Sequence, residues 1–325
     1  MNERENYKLL LNGEQPAWVP YYRDAVDWVV PSVVASFLDS EERIDFFGVK
    51  WTRSPMGNIS DVTDLCLQDI RKWRDVVHFP DLDSYDWKML AEKDTKMHNP
   101  DKMMTAMIMP CPGGNFFIPL MNMMGFEEGL IAMAEEEEEV AALFEHICQF
   151  LEKLEQYMID YYKPDMVHIG DDIASANSMF ISRPTFERLI TPFFKRLIER
   201  AVSQGIAVEW HCCGKCESIV EDFVDMGITT WESAQPLNDL TAIKNRFGNR
   251  LILNGCWQGN NPAELPGASE EVVRAAVRKT IDLYASGGGF SFWDGDPVGP
   301  GEDMKNKIAW IADEVRNYGR LFYKS

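Results

Sequence analysis

His211, Cys212, Cys213 and Cys216 place one imidazole and three thiols within six consecutive residues, a density of nitrogen and sulfur donors that suits a zinc ion. Along an extended backbone alternate side chains share a face, so His211 and Cys213 point one way and Cys212 the other. His211 and Cys213 are therefore the expected metal-holding pair. A catalytic zinc takes three protein donors and keeps one position open to substrate. Three residues compete for the third place: Cys256, Cys216 and Glu232. The Cys213-x-x-Cys216 spacing also permits a redox dithiol, although motifs of that kind open a helix after the first strand of a small fold.

Asp171 and Asp172 end another β-rich run. Adjacent carboxylates repel, so one of them can keep a proton near neutrality and act as an acid; equally, one can cap the next turn while the other is solvated. Trp257, Phe292 and Trp293 also close β-rich runs, where they wall an aromatic pocket or fill a core.

The elements that must position these groups alternate. From about Lys163 onward short β-rich runs (166–170, 207–211, 228–231, 251–255, 289–293) are separated by helical patterns (185–203, 217–226, 270–285), the signature of βα units on a parallel sheet. Val19 to Tyr22, a stretch near Gly48 to Thr52, and Thr105 to Met109 supply candidate strands for the first half, eight in all. The expected architecture is an α/β fold, a (β/α)8 TIM barrel, with residues 1–325 as a single domain and the chemistry at the C-terminal ends of the strands. Gly287 to Gly289 read as the tight turn into the last strand. The glutamate run from Glu135 to Glu139 reads as a solvated helix face, and the methionines between Met103 and Met124 as core or pocket lining.

A net charge of -20 argues against nucleic acid or an anionic membrane as partner. The charged first residues lack a signal-peptide pattern, and no apolar run reaches membrane-spanning length, so a cytoplasmic location is expected. Seven cysteines, three of them clustered, do not form the pattern of a secreted disulfide scaffold.

Several segments together resemble the uroporphyrinogen decarboxylase superfamily, which includes zinc-dependent, corrinoid-linked methyltransferases. They are Leu11-Asn12-Gly13-Glu14-Gln15-Pro16 with Val19-Pro20, Phe47-Gly48-Val49-Lys50-Trp51, Gly170-Asp171-Asp172-Ile173, Phe180-Ile181-Ser182 through Pro192-Phe193-Phe194-Lys195, and Trp257-Gln258-Gly259-Asn260-Asn261-Pro262. His211-Cys212-Cys213-Gly214 matches the His-x-Cys-Gly motif that supplies two zinc ligands in the methyltransferase branch. The decarboxylase branch carries an arginine-rich segment after its first strand, and Tyr21 to Val26 here contains Arg23 alone. Branch members that methylate a thiol cofactor carry a further cysteine before the last helix, where this chain reads Phe292-Trp293-Asp294-Gly295-Asp296.

The resemblance implies a barrel enzyme that moves a methyl group from a small donor, a methoxylated aromatic in first place, to a corrinoid carried by a partner protein. Zinc would be held by His211, Cys213 and a third ligand, Cys256 in first place. Asp171, Asp172 and Glu232 would act on substrate in a pocket formed by Trp257, Trp293 and Asn260. A tetrapyrrole decarboxylase is the alternative, and assembly as a homodimer stays open.

Overall fold

Runs rich in methionine, aromatic and β-branched side chains form the strands of the protein, a computed structural model of which describes residues 1–54, 57–257, 261–295 and 301–324. In chain order the strands are β1 (Val26–Val29), β2 (Trp51–Ser54), β3 (Gly57–Ser60), β4 (Met103–Met107), β5 (Met166–Gly170), β6 (Ala207–His211), β7 (Thr230–Ala234), β8 (Ile252–Cys256) and β9 (Phe290–Trp293). β2 and β3 pair antiparallel as a separate hairpin. The other seven form one parallel sheet in the order β1-β4-β5-β6-β7-β8-β9.

Strands β5, β7, β8 and β9 are buried along their whole length, because helices cover one face and a second core fills the other. Val167, Ile169, Val208, Trp210, Trp231, Leu253, Phe290 and Phe292 face the helices. Val26, Met103, Met166 and Ile252 face inward and pack with Tyr7, Leu10, Tyr22 and Trp293.

The chain just before β1 reaches β9 through a parallel bridge between Tyr21 and Phe292, where the Phe292 N–H donates to the Pro20 carbonyl at 2.9 Å. This contact curls the sheet toward closure. The sequence reading expects eight strands, and among the described residues the sheet has seven. Val19 to Tyr22 contributes only the Tyr21 bridge, since a one-turn helix, Tyr22–Ala25, follows at once. Gly48 to Thr52 runs into the hairpin instead of the sheet. β1 escapes the sequence reading because half-buried Asp27 and Trp28 interrupt its apolar pattern.

The N-terminal helix Glu3–Leu11 closes the floor. Asn2 caps it in a reciprocal capping box with Glu5. Arg4 and Lys8 pair with Asp165, immediately before β5, which places this helix at the N-terminal end of the strands. Leu10, with no exposed surface, contributes on the order of 2 kcal/mol by burial alone. The opposite end is left for chemistry.

Helix Glu270–Tyr284 begins where expected, with the Ser269 side chain accepting from the Val272 N–H. The stretch from Thr185 to Ser203, read as one helix, is three: Arg183–Leu189, Thr191–Leu197 and Glu199–Ser203. Pro192 lies in the first turn of the second, where its missing N–H interrupts the hydrogen-bond ladder. Among the described residues no helix is long and apolar enough to cross a membrane.

Candidate metal centre

β6 ends on His211, which is in register with Gly170 on one side and Glu232 on the other. The alternation expected from the sequence holds. Cys212 turns back into the core with no exposed surface, while Cys213 returns to the His211 side. Cys213 Sγ lies 3.7 Å from His211 Nε2. Asp172 Oδ1, arriving from the end of β5, lies 3.4 Å from the same nitrogen and accepts the Cys213 backbone N–H at 2.8 Å. One donor atom from each of Asp172, His211 and Cys213 falls within 4.8 Å of the others.

Two glycines make this convergence possible. A Cβ on Gly170 would stand 2.4 Å from the His211 carbonyl oxygen and 2.7 Å from its Cβ. Gly214, at φ +83°, turns the chain away after Cys213, and a Cβ there would stand 2.6 Å from the carbonyl oxygens of Ala174 and Ser175.

Behind His211, the Glu232 carboxylate takes the Nδ1 side of the ring through Oε2. Its other oxygen accepts the Trp293 indole N–H at 2.7 Å. With Nδ1 bonded to a carboxylate, the proton is held on that side and the Nε2 lone pair faces Asp172 and Cys213. Deeper still, His168 Nδ1 lies 2.9 Å from Glu209 Oε1, which also receives the Tyr22 hydroxyl. His168, His211 and Glu232 form a second group with donor atoms within 4.8 Å of one another, almost wholly enclosed.

The electrostatics favour positive charge at His211. Burial works against the imidazolium, yet Glu232, Asp172 and Cys213 together raise its pKa well above the usual value. Burial likewise opposes ionisation of Asp172 and Glu232, and the neighbouring His211 overrides it in both, holding the carboxyls below their ordinary range. Burial pushes the Cys213 thiol up, and His211 offsets part of that rise. The same surroundings that stabilise a proton on Nε2 would stabilise a divalent cation there. The donor set fits zinc: one imidazole nitrogen, one thiolate and one carboxylate at the exposed end of the strands.

The remaining candidate residues lie elsewhere or do other work. Asp171 is wholly buried and accepts the backbone N–H groups of Asn115, Phe116, Phe117 and Ile118 at 2.8–3.2 Å. It caps helix Phe117–Met124, so its place in the fold is structural. Burial pushes its carboxyl up to about 7 against those N–H groups. Cys256 is outside both donor groups. Gly255 at φ +127° and Cys256 at φ +60° break the strand alternation, and Cys256 lines an apolar groove with Pro236, Trp257 and Tyr284. Cys256 and Trp257, expected as ligand and pocket wall, both line that groove. Cys216 turns to Cys212 in the core rather than to Cys213. Trp293 is at the centre, but its indole N–H is committed to Glu232. Asn260 lies outside the described residues.

Sequence reasoning missed His168, Glu209 and Tyr22. The available signal was an ionisable side chain in the middle of each of two β-rich runs, 166–170 and 207–211, where full burial demands a partner.

A parallel α/β sheet whose strand ends gather such donors is the frame of an enzyme. This chain belongs to the uroporphyrinogen decarboxylase family, whose model, Uroporphyrinogen decarboxylase (URO-D), matches residues 116–318. It is similar to a uroporphyrinogen decarboxylase of Thioalkalivibrio sulfidiphilus (strain HL-EbGR7), 38% identical over 76 residues, a match spanning 23% of this chain and 20% of that protein. In fold it is similar to a methyltransferase from Methanosarcina mazei, with a TM-score of 0.63 at 11% identity, covering 98% of this chain and 99% of the other.

Proposed function

We propose that this protein is a zinc-dependent methyltransferase that takes a methyl group from a small donor, a methoxylated aromatic in first place, and passes it to a corrinoid carried by a partner protein. The observation that carries this reading is the convergence of Asp172, His211 and Cys213 at the open end of the strands. His211 Nε2 and Cys213 Sγ would hold the metal, and Asp172 Oδ1 stands where the third donor is needed. Zinc held by these residues would supply Lewis acidity toward an ether oxygen. Glu232 keeps the His211 proton on Nδ1, leaving Nε2 free to coordinate. Asp172 Oδ1 would serve there as a donor atom.

A tetrapyrrole decarboxylase of the same family fits less well. Its polycarboxylate substrate calls for clustered arginines, whereas Arg23 is bonded to Asp294 at 2.8 Å and lies 4.5 Å from the centre of the Trp293 ring. The test is metal content of the purified protein followed by cobalt methylation with free cob(I)alamin and a panel of methoxyarenes and methylamines. About one zinc per chain, lost together with methyl transfer in His211→Ala, is the expected result. Full turnover by a metal-free variant would falsify the mechanism.

A further inference from the structure

We infer that Trp293 is a positioning residue, acting through Glu232 to set the orientation in which His211 meets a metal. The inference rests on the metal centre proposed above, and it gives Trp293 a different task from walling a substrate pocket.

Three observations carry it. The indole N–H donates to Glu232 Oε1 at 2.7 Å, while the other oxygen of that carboxylate takes His211 Nδ1. Both lone-pair directions of the carboxylate that matter are thus assigned, one to the tryptophan and one to the histidine. Second, the ring has little surface left for a ligand: Trp293 is 5% exposed, with the Arg23 guanidinium 4.5 Å from its centroid and the Tyr22 ring at 5.1 Å. Third, Glu232 is 2% exposed, so an oxygen deprived of the indole would find no solvent to replace it. The bonded chain runs from Trp293 on β9 to Glu232 on β7 to His211 on β6. A carboxylate held at both oxygens cannot swing, and the imidazole bonded to it cannot rotate its Nε2 away from Cys213 and Asp172.

Glutamate is required by this geometry. An amide at position 232 offers one acceptor and one donor, so it can satisfy either the His211 N–H or the Trp293 N–H but opposes the other. The two substitutions are therefore coupled. In Glu232→Gln the amide is pulled both ways. With Trp293→Phe added, its carbonyl is free to face His211.

The experiment measures zinc affinity by chelator competition on chelator-stripped wild-type protein and on W293F, E232Q and the double variant, with cobalt(II) absorption as a second readout. W293F and E232Q should each bind zinc roughly 10- to 100-fold more weakly. At saturating cobalt both should keep the thiolate-to-cobalt band, because Cys213 stays a ligand. The double variant should bind at least as tightly as E232Q alone. A merely structural tryptophan predicts a lower melting temperature with unchanged zinc affinity. Affinity of W293F within about twofold of wild type, or additive losses in the double variant, overturns the inference. Should W293F fail to fold, E232Q with unchanged affinity overturns it as well. Wild-type protein that binds no zinc overturns both this inference and the proposed function, whereas zinc-binding wild type with an unaffected W293F overturns this inference alone.

Discussion

Asp172 Oδ1 stands 3.4 Å from His211 Nε2 while accepting the Cys213 backbone N–H at 2.8 Å, so one carboxylate oxygen meets both residues of the proposed metal-holding pair. Asp172→Ala should weaken zinc binding by roughly 10-fold or more, whereas Cys256→Ser should leave it unchanged. Chelator competition on the two variants decides between them, and loss of zinc in the Cys256 variant would reinstate the thiol as third ligand.

Gly170 packs directly against the His211 backbone. Gly170→Ala should push β5 and β6 apart at the centre, cost about 1–3 kcal/mol of stability and lower zinc affinity in the same protein. Urea unfolding and metal titration provide the two numbers; a stable variant with wild-type affinity contradicts the close approach.

Asp171→Asn replaces a carboxyl that accepts from four backbone N–H groups with an amide that presents an N–H of its own. The cost should be about 1–3 kcal/mol, with zinc stoichiometry intact in the folded fraction. Selective loss of turnover from a fully stable D171N protein would restore an acid role to this residue.

Glu155 gives a pH signature. Burial raises its carboxyl from 4.5 to about 8, against a hydrogen bond from the Ala201 N–H. Its folded pKa lies above its unfolded one, so the native state holds the extra proton and stability falls as pH rises through that window. Glu155→Gln should therefore melt a few degrees higher than wild type at pH 9 and close to it at pH 5. Equal melting curves at both values refute the assignment.

The parts of the site legible in the sequence are those set by neighbouring residues. His211 and Cys213 follow from strand alternation, which depends only on local backbone geometry. Cys256 fails the same rule because Gly255 and Cys256 both adopt positive φ, and nothing in the residue types announces that a cysteine will do so. The Glu232 contact with Trp293 joins β7 to β9, across the intervening strand β8, and no periodicity encodes it. Asp171 and Asp172 read as a pair in the sequence, yet helix Phe117–Met124, which arrives from another connection, takes Asp171 as its cap and leaves Asp172 to the Cys213 N–H. The parallel sheet was legible from its βα rhythm; the hairpin and the interrupted first strand were not, since tertiary pairing sets them.

The bridge between Tyr21 and Phe292 has a kinetic meaning. It unites a segment that leaves the ribosome early with one that leaves late, so the seam is among the last contacts available to a nascent chain. Until β9 has been made, Tyr21 has no strand to lie against, and Trp293, the residue after Phe292 on that strand, cannot reach Glu232. On the proposed metal centre, ion uptake should then follow the arrival of β9.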